Sequence, residues 1–303
     1  MQCIAVEWQT VRVKVIHMKK IMITGASGFL GSRAAEYFRG KYEVMTPSHI
    51  QLDITDEKNV MRYFSEKKPD IVIHCAAVSD VGRCEREQEL SWKINVSGSI
   101  NIAKAAASVQ TKCILCSSDQ IYFGSSLNEA HKECEDVIPY NLYGREKRKA
   151  EEECLRIDQD CVCLRLSWMY DVRSENKEEH GDFFRTLLPK LRAGEAVSYP
   201  VHDIRGITDV NEVIRNMEKV FDLPGGVYNF GSPNEKNTYE ILYGVFESVG
   251  LDLNLLQKNE EAFLTNPRNI SMNQDKLNGA GIWFRDTSDG IAQNIKAFHL
   301  TGL

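Results

Sequence analysis

Along this chain, short runs of consecutive apolar residues alternate with longer stretches in which apolar residues recur every three to four positions. Ile21-Met22-Ile23 is one such run, and Phe29, Leu30, Ala34, Ala35 and Phe38 follow at helical spacing. The beat continues with a strand over 42–45, a helix over 57–64, a strand over 70–75 and a long helix from about 87 to 109. A strand over 112–117, a helix from about 142 to 157 and a strand over 161–166 complete it. Strands that are apolar throughout, not at every second residue, are buried on both faces, and the helices between them serve as crossovers. The pattern predicts an α/β fold with a parallel sheet covered on both sides. Beyond Trp168 the rhythm gives way to longer loops, such as 171–181, and mixed elements.

Within that pattern, Ile21-Met22-Ile23-Thr24-Gly25-Ala26-Ser27-Gly28-Phe29-Leu30-Gly31 reads as a strand, a glycine-punctuated turn and a helix. Gly25 lets the chain turn sharply, Gly28 lets backbone N–H groups approach a pyrophosphate, and Gly31 lets the helix pack close to the strand. The helix N-terminus then faces the phosphates. The G-x-x-G-x-x-G spacing is one residue longer in its first gap than that of ordinary Rossmann dehydrogenases. The strand and helix on either side distinguish it from an ordinary glycine turn. The fold class expected is therefore a doubly wound Rossmann-type parallel sheet with a smaller C-terminal α+β substrate-binding lobe. Residues 18–168 form the dinucleotide-binding domain in this reading, and 169–303 form mainly the substrate lobe, with returns to the sheet. Residues 1–17, where Val11, Val13 and Val15 alternate with basic residues, are expected to be a dispensable extension without the apolar core of a signal peptide.

Composition narrows the partners. With 303 residues, a net charge of −6 and no basic block, the chain lacks a nucleic-acid footprint, and no apolar run has the length of a membrane span. Nine scattered cysteines suit reduced thiols and a cytoplasmic setting better than a disulfide framework. Cys113-x-x-Cys116 has the spacing of a redox or metal pair, but inside a strand the two side chains point to opposite faces, so plain buried thiols are expected and no metal. A two-fold dimer is the default oligomer.

Candidate chemistry lies on the helix over 142–157. Tyr143 and Lys147 stand four apart and project from one face. A neighbouring ammonium favours the phenolate and is expected to lower the tyrosine pKa. Such a phenol can give a proton to a carbonyl oxygen as hydride arrives, or take one from an alcohol. Tyr/Lys pairs at this spacing also occur on surface helices. Ser117 and Ser118 close the preceding strand at the edge where open α/β sheets bind ligands, and either serine could instead cap the turn.

These residues resemble the extended short-chain dehydrogenase/reductase family, in which G-x-x-G-x-x-G, a strand-end Ser or Thr, and Y-x-x-x-K occur in this order. Within it the chain is similar to the dTDP-4-dehydrorhamnose reductase branch, at Leu52-Asp53-Ile54-Thr55-Asp56, Ile73-His74-Cys75-Ala76-Ala77, Ser117-Ser118-Asp119-Gln120-Ile121-Tyr122-Phe123-Gly124, Arg165-Leu166-Ser167-Trp168 and Pro267-Arg268-Asn269. The resemblance implies that Ser118 orients a carbonyl, that Tyr143 is the general acid/base, and that Lys147 tunes the tyrosine and holds the nicotinamide ribose. It implies cofactor contacts from Gly25, Ser27, Gly28, Phe29 and Leu30 at the pyrophosphate, Asp53 and Ile54 at the adenine, and Ala76 and Ala77 along the cofactor. Asn95 is a further cofactor-side candidate, with helix-internal hydrogen bonding as its alternative. Ser79, Ser118, Trp168 and Arg205 are the implied substrate contacts. Arg205 suits a diphosphate by its planar fork, or pairs structurally with Asp203 or Asp209, and Trp168 walls the sugar or fills a core.

At the end of the second strand, Met45-Thr46-Pro47-Ser48-His49 offers no carboxylate for a ribose 2′-hydroxyl. NADP(H) is favoured, with NAD(H) as the second option, and Ser48, His49 or Arg33 are the expected 2′-phosphate contacts. The expected activity is an NADPH-dependent reductase of a nucleotide-activated 4-keto-deoxysugar. The alternatives are a nucleotide-sugar epimerase or dehydratase that retains its cofactor, and a non-catalytic NADP-binding subunit resembling the methionine adenosyltransferase β-subunit. The segment around Arg205 departs toward the epimerase pattern, and 171–181 is unusually charged for the branch.

Overall fold

The computed structural model describes residues 18–172 and 183–297. The extension over 1–17 and most of the charged stretch over 171–181 lie outside the described residues. The first half runs β1 (Lys20–Thr24), α1 (Phe29–Phe38), β2 (Glu43–Met45), α2 (Glu57–Lys67), β3 (Ile71–His74), α3 (Val81–Arg86), α4 (Gln88–Trp92), α5 (Ser99–Ser108), β4 (Lys112–Ser118), α6 (Leu142–Ile157) and β5 (Val162–Leu166). Then come β6 (Trp168–Tyr170), α7 (Phe183–Arg192), β7 (Val197–Pro200), β8 (Asp203–Ile204), β9 (Ile207–Asp209), α8 (Val210–Met217), β10 (Gly226–Phe230), α9 (Thr238–Val249), β11 (Leu256–Asn259), β12 (Arg268–Asn269), α10 (Asp275–Gly279) and α11 (Thr287–Ala297).

Six strands form one parallel sheet in the order β10-β5-β4-β3-β1-β2. Its strands are apolar along their whole length because both faces are covered. Ile21, Ile23, Ile114, Val162 and Leu164 pack under α1 and α8, whereas Met22, Val72, Cys113, Leu115 and Cys163 face α2, α5 and α6. Cys113 and Cys116 accordingly enter the cores on opposite faces. All eight described cysteines are free. β10 returns from the second half of the chain to extend the sheet beside β5, while a third core gathers Tyr170, Phe184, Leu187, Ile241, Phe246 and Ile291. Among the described residues no helix is long and apolar enough to cross a membrane.

The expected long helix over 87–109 is not one rod. It starts early, at Val81, because the Asp80 side chain accepts from the backbone N–H of Arg83 and caps α3. It breaks at Glu87, whose φ and ψ are −120° and 53°, and then widens into a π-helical turn over Lys93–Gly98. That turn swings Asn95 inward and brings Gly98 against Ile54, where an added Cβ would lie 2.7 Å from the isoleucine Cδ1.

Candidate active site

The sheet order reverses between β1 and β3, and loops leaving the strand ends there diverge to leave a crevice. Gly25 leaves β1 with φ +67°, and a Cβ on it would strike the Ala76 backbone nitrogen at 2.6 Å. A Cβ on Gly31 would lie 2.3 Å from the Gly25 carbonyl oxygen. The three-glycine turn is therefore required by backbone packing, and it brings the start of α1 to the crevice. No side chain caps α1 at Gly28, which leaves its first N–H groups to an outside acceptor. These features fit a dinucleotide pyrophosphate.

A cavity of about 500 Å³ extends from this turn across the strand ends. Gly25, Gly28, Phe29, Leu30 and Ala77 line one end, Ser118, Tyr143 and Lys147 the middle, and Trp168, Arg205 and Arg268 the other. Ser79 also lines it. Ser27, Asp53, Ile54, Ala76 and Asn95 do not. Ser27 is exposed at the turn. Asp53 accepts from the backbone N–H and hydroxyl of Thr55, which hold its carboxyl low, the backbone bond foremost. Ile54 packs on the π-helical turn, and the Ala76 N–H donates to the Thr24 hydroxyl. Asn95, fully buried, bonds the N–H and carbonyl of Val78 at 2.8 and 3.0 Å and donates to Glu146 at 2.6 Å. It fixes the loop after β3 to α6 and acts on the cavity only through that loop.

Tyr143 is placed by the way α6 begins. Asn141 caps the helix through the Gly144 N–H and donates to Gln120 at 2.9 Å, while the absent Cβ of Gly144 lets the helix approach the Gln120 carbonyl. The phenol thus reaches the end of β4. Burial, then the Asp119 carboxylate, pushes the Tyr143 hydroxyl well above the usual tyrosine range. The expected lowering by Lys147 is not found, because burial dominates; the lysine Nζ lies over the tyrosine ring, 5.7 Å from its centroid, and donates to the Cys116 carbonyl at 2.8 Å. Burial lowers the Lys147 ammonium itself. Ser118 caps the turn after β4, since its hydroxyl accepts from the Gln120 N–H and donates to Asp119, each at 3.2 Å, and it also lines the cavity. Ser117 Oγ is buried without a partner at the cavity wall.

Arg205 pairs with neither Asp203 nor Asp209. Asp203 is held by Arg268 bidentately, through Nε at 2.7 Å and Nη2 at 2.8 Å, and Asp209 caps α8. Arg205 instead donates to Asp119 at 3.2 Å and stacks against Trp168, 4.9 Å from the ring centroid. Burial pushes the Asp119 carboxyl up, and Arg205 opposes it. Arg33 is also taken: it pairs with Asp171 and bonds the Phe29 carbonyl, so it is not held ready for a 2′-phosphate. Asp119 and Arg268 were not assigned roles from sequence. The signals were there, since Asp119 directly follows Ser118 and Arg268 sits in the Pro-Arg-Asn motif.

A family model described as the RmlD substrate binding domain matches residues 18–299. A dTDP-4-dehydrorhamnose reductase of Mycolicibacterium smegmatis is 27% identical over 238 residues, 77% of this chain and 70% of that protein. The methionine adenosyltransferase 2 subunit beta of Xenopus laevis is 27% identical over 283 residues, 87% of this chain and 83% of that one. The solved dTDP-4-dehydrorhamnose reductase of Bacillus anthracis str. Ames in complex with NADP shares the fold, with a TM-score of 0.80 at 23% identity over 94% of this chain and 99% of the other.

Proposed function

The chain belongs to the RmlD substrate binding domain family, and from that membership we propose that it is an NADPH-dependent reductase of a nucleotide-activated 4-keto-deoxysugar. The observation that carries this reading is a single cavity lined by a glycine turn, by Ser118, Tyr143 and Lys147, and by Trp168 and Arg205. NADPH supplies a hydride to the carbonyl carbon when bound. The glycine turn and the start of α1 would hold its pyrophosphate, and Lys147, anchored on the Cys116 carbonyl, would hold its nicotinamide ribose. Ser118 holds the carbonyl oxygen. Tyr143 gives that oxygen its proton, and burial keeps the phenol protonated at neutral pH. Trp168 covers the sugar face, and Arg205 presents its guanidinium edge to substrate oxygens.

The test is NADPH oxidation by the purified protein on addition of a panel of nucleotide 4-keto-6-deoxysugars, with products weighed by mass spectrometry. Consumption should match product and fall by roughly 100-fold or more in Tyr143→Phe, with NADPH affinity retained. A changed sugar without consumption would make the protein an epimerase or dehydratase. Tight NADPH binding with neither change would favour a regulatory subunit, a reading supported by the Xenopus relative, which aligns with more of this chain than the M. smegmatis reductase does.

A further inference from the structure

Cys75 and Cys116 meet where neighbouring parallel strands end. Continuing the pairing of His74 with Leu115 by one residue sets them opposite each other, and their sulfurs are 3.6 Å apart. Both line the cavity, and both pack on the α1 side of the sheet. No step proposed above uses either thiol. They lie between the Gly25 turn, which rests on the Cys75-Ala76 backbone, and Lys147, which is bonded to the Cys116 carbonyl. We propose that Cys75 and Cys116 form a reversible, peroxide-driven disulfide that closes the dinucleotide cavity, an inference that rests on the dinucleotide reading of that cavity.

Adjacent strands hold Cα atoms about 4.8 Å apart, within the span a disulfide bridges, and the sulfurs need approach by only roughly 1.6 Å to reach bonding distance. The hydrogen bond with Cys116, and then burial, holds the Cys75 thiol well above its usual range. Attack on peroxide is assigned to Cys116, the residue whose carbonyl holds the Lys147 ammonium at 2.8 Å. Its sulfur cleaves the O–O bond to give a sulfenic acid and water, and Cys75 then displaces the second water to form the S–S bond. Two thiols lose two electrons and two protons in all, and one hydrogen peroxide becomes two waters. The bond draws in the strand end that carries Ala76 and Ala77 and shifts the carbonyl that anchors Lys147, so both flanks of the cavity move.

The experiment treats the full chain with hydrogen peroxide or dithiothreitol, alkylates the remaining thiols, maps peptides by mass, and measures NADPH affinity. Cross-linked Cys75 and Cys116 peptides two hydrogens lighter are expected, with a Kd for NADPH raised tenfold or more and both changes reversed by dithiothreitol. Cys116→Ala, compared with its own reduced state, should show no peroxide effect on Kd. Separately alkylated Cys75 and Cys116 after a dose that oxidises the exposed Cys134 would overturn the proposal, as would a cross-link that leaves Kd unchanged. A reduced protein that binds no NADPH would instead refute the dinucleotide reading, and with it the closure, while the cross-link is still scored by mass.

Discussion

Tyr143 and Lys147 share a helix face, yet burial sets the tyrosine, and the phenol keeps its proton far into the alkaline range. A reductase with this donor should not lose rate through tyrosine ionisation between pH 7 and about 9.5. A kcat profile falling with a midpoint near pH 7.5 would show that another group donates. His74 illustrates the same balance. It is buried between Thr24 Oγ1 at 2.7 Å and Ser99 Oγ at 3.2 Å, and burial, helped by Lys147, lowers its pKa from 6.5 to about 3. The folded state therefore binds fewer protons than the unfolded chain between those values. The stability contributed by neutral His74 is complete above pH 6.5 and is lost as pH falls toward 3. Between pH 6.5 and 4.5 this amounts to about 2–3 kcal/mol. Urea unfolding at the two pH values should show that loss in the native chain and a smaller one in His74→Asn. Equal slopes would mean that His74 already carries a proton or is not desolvated.

At the scale of elements, the π-helical turn over Lys93–Gly98 joins three parts of the site through one residue, since Asn95 holds the loop after β3 and the Glu146 carboxylate of α6. Asn95→Ala would leave a buried carboxylate with only its Ser91 bond and the Val78 N–H unpaired. The expected loss is about 3 kcal/mol of unfolding free energy, with weaker NADPH binding because the loop carrying Ala77 and Ser79 is released. Unchanged stability by denaturant titration would contradict that joining role. This turn was not legible in the sequence, because it is set by partners outside the segment, Val78 on the loop after β3 and Glu146 on α6. The sheet strands and the α1 and α6 helices were legible, since continuous apolar runs and helical spacing report burial locally. That Ser118, Tyr143 and Lys147 line one cavity was legible from the four-residue spacing on α6 and the strand end before it, whereas their roles came only from the resemblance. The Arg205–Asp119 and Arg268–Asp203 pairs join residues 86 and 65 positions apart, and nothing local distinguished Asp119 from Asp203 or Asp209 as the partner.

Taken as a whole, the molecule puts its cavity where the two halves of the chain meet. The glycine turn and α6 come from the first half, Arg205 and Arg268 come from the second, and β10 returns to the sheet beside β5. A ligand filling such a site binds only when both halves are folded, so its binding energy adds to global stability by mass action. At a hundred times its Kd, NADPH should add about 2.7 kcal/mol and raise Tm by roughly 5 °C for a chain of this size. The end of β2 presents Ser48 and His49 but no carboxylate, so a 2′-phosphate meets no like charge there. NADH at the same concentration should accordingly raise Tm less. An equal shift would show that the 2′-phosphate is not sensed at this end, which the engagement of Arg33 by Asp171 makes a pointed test. No shift with either cofactor would remove the dinucleotide from the cavity and leave the Ser118, Tyr143 and Lys147 arrangement without its hydride source.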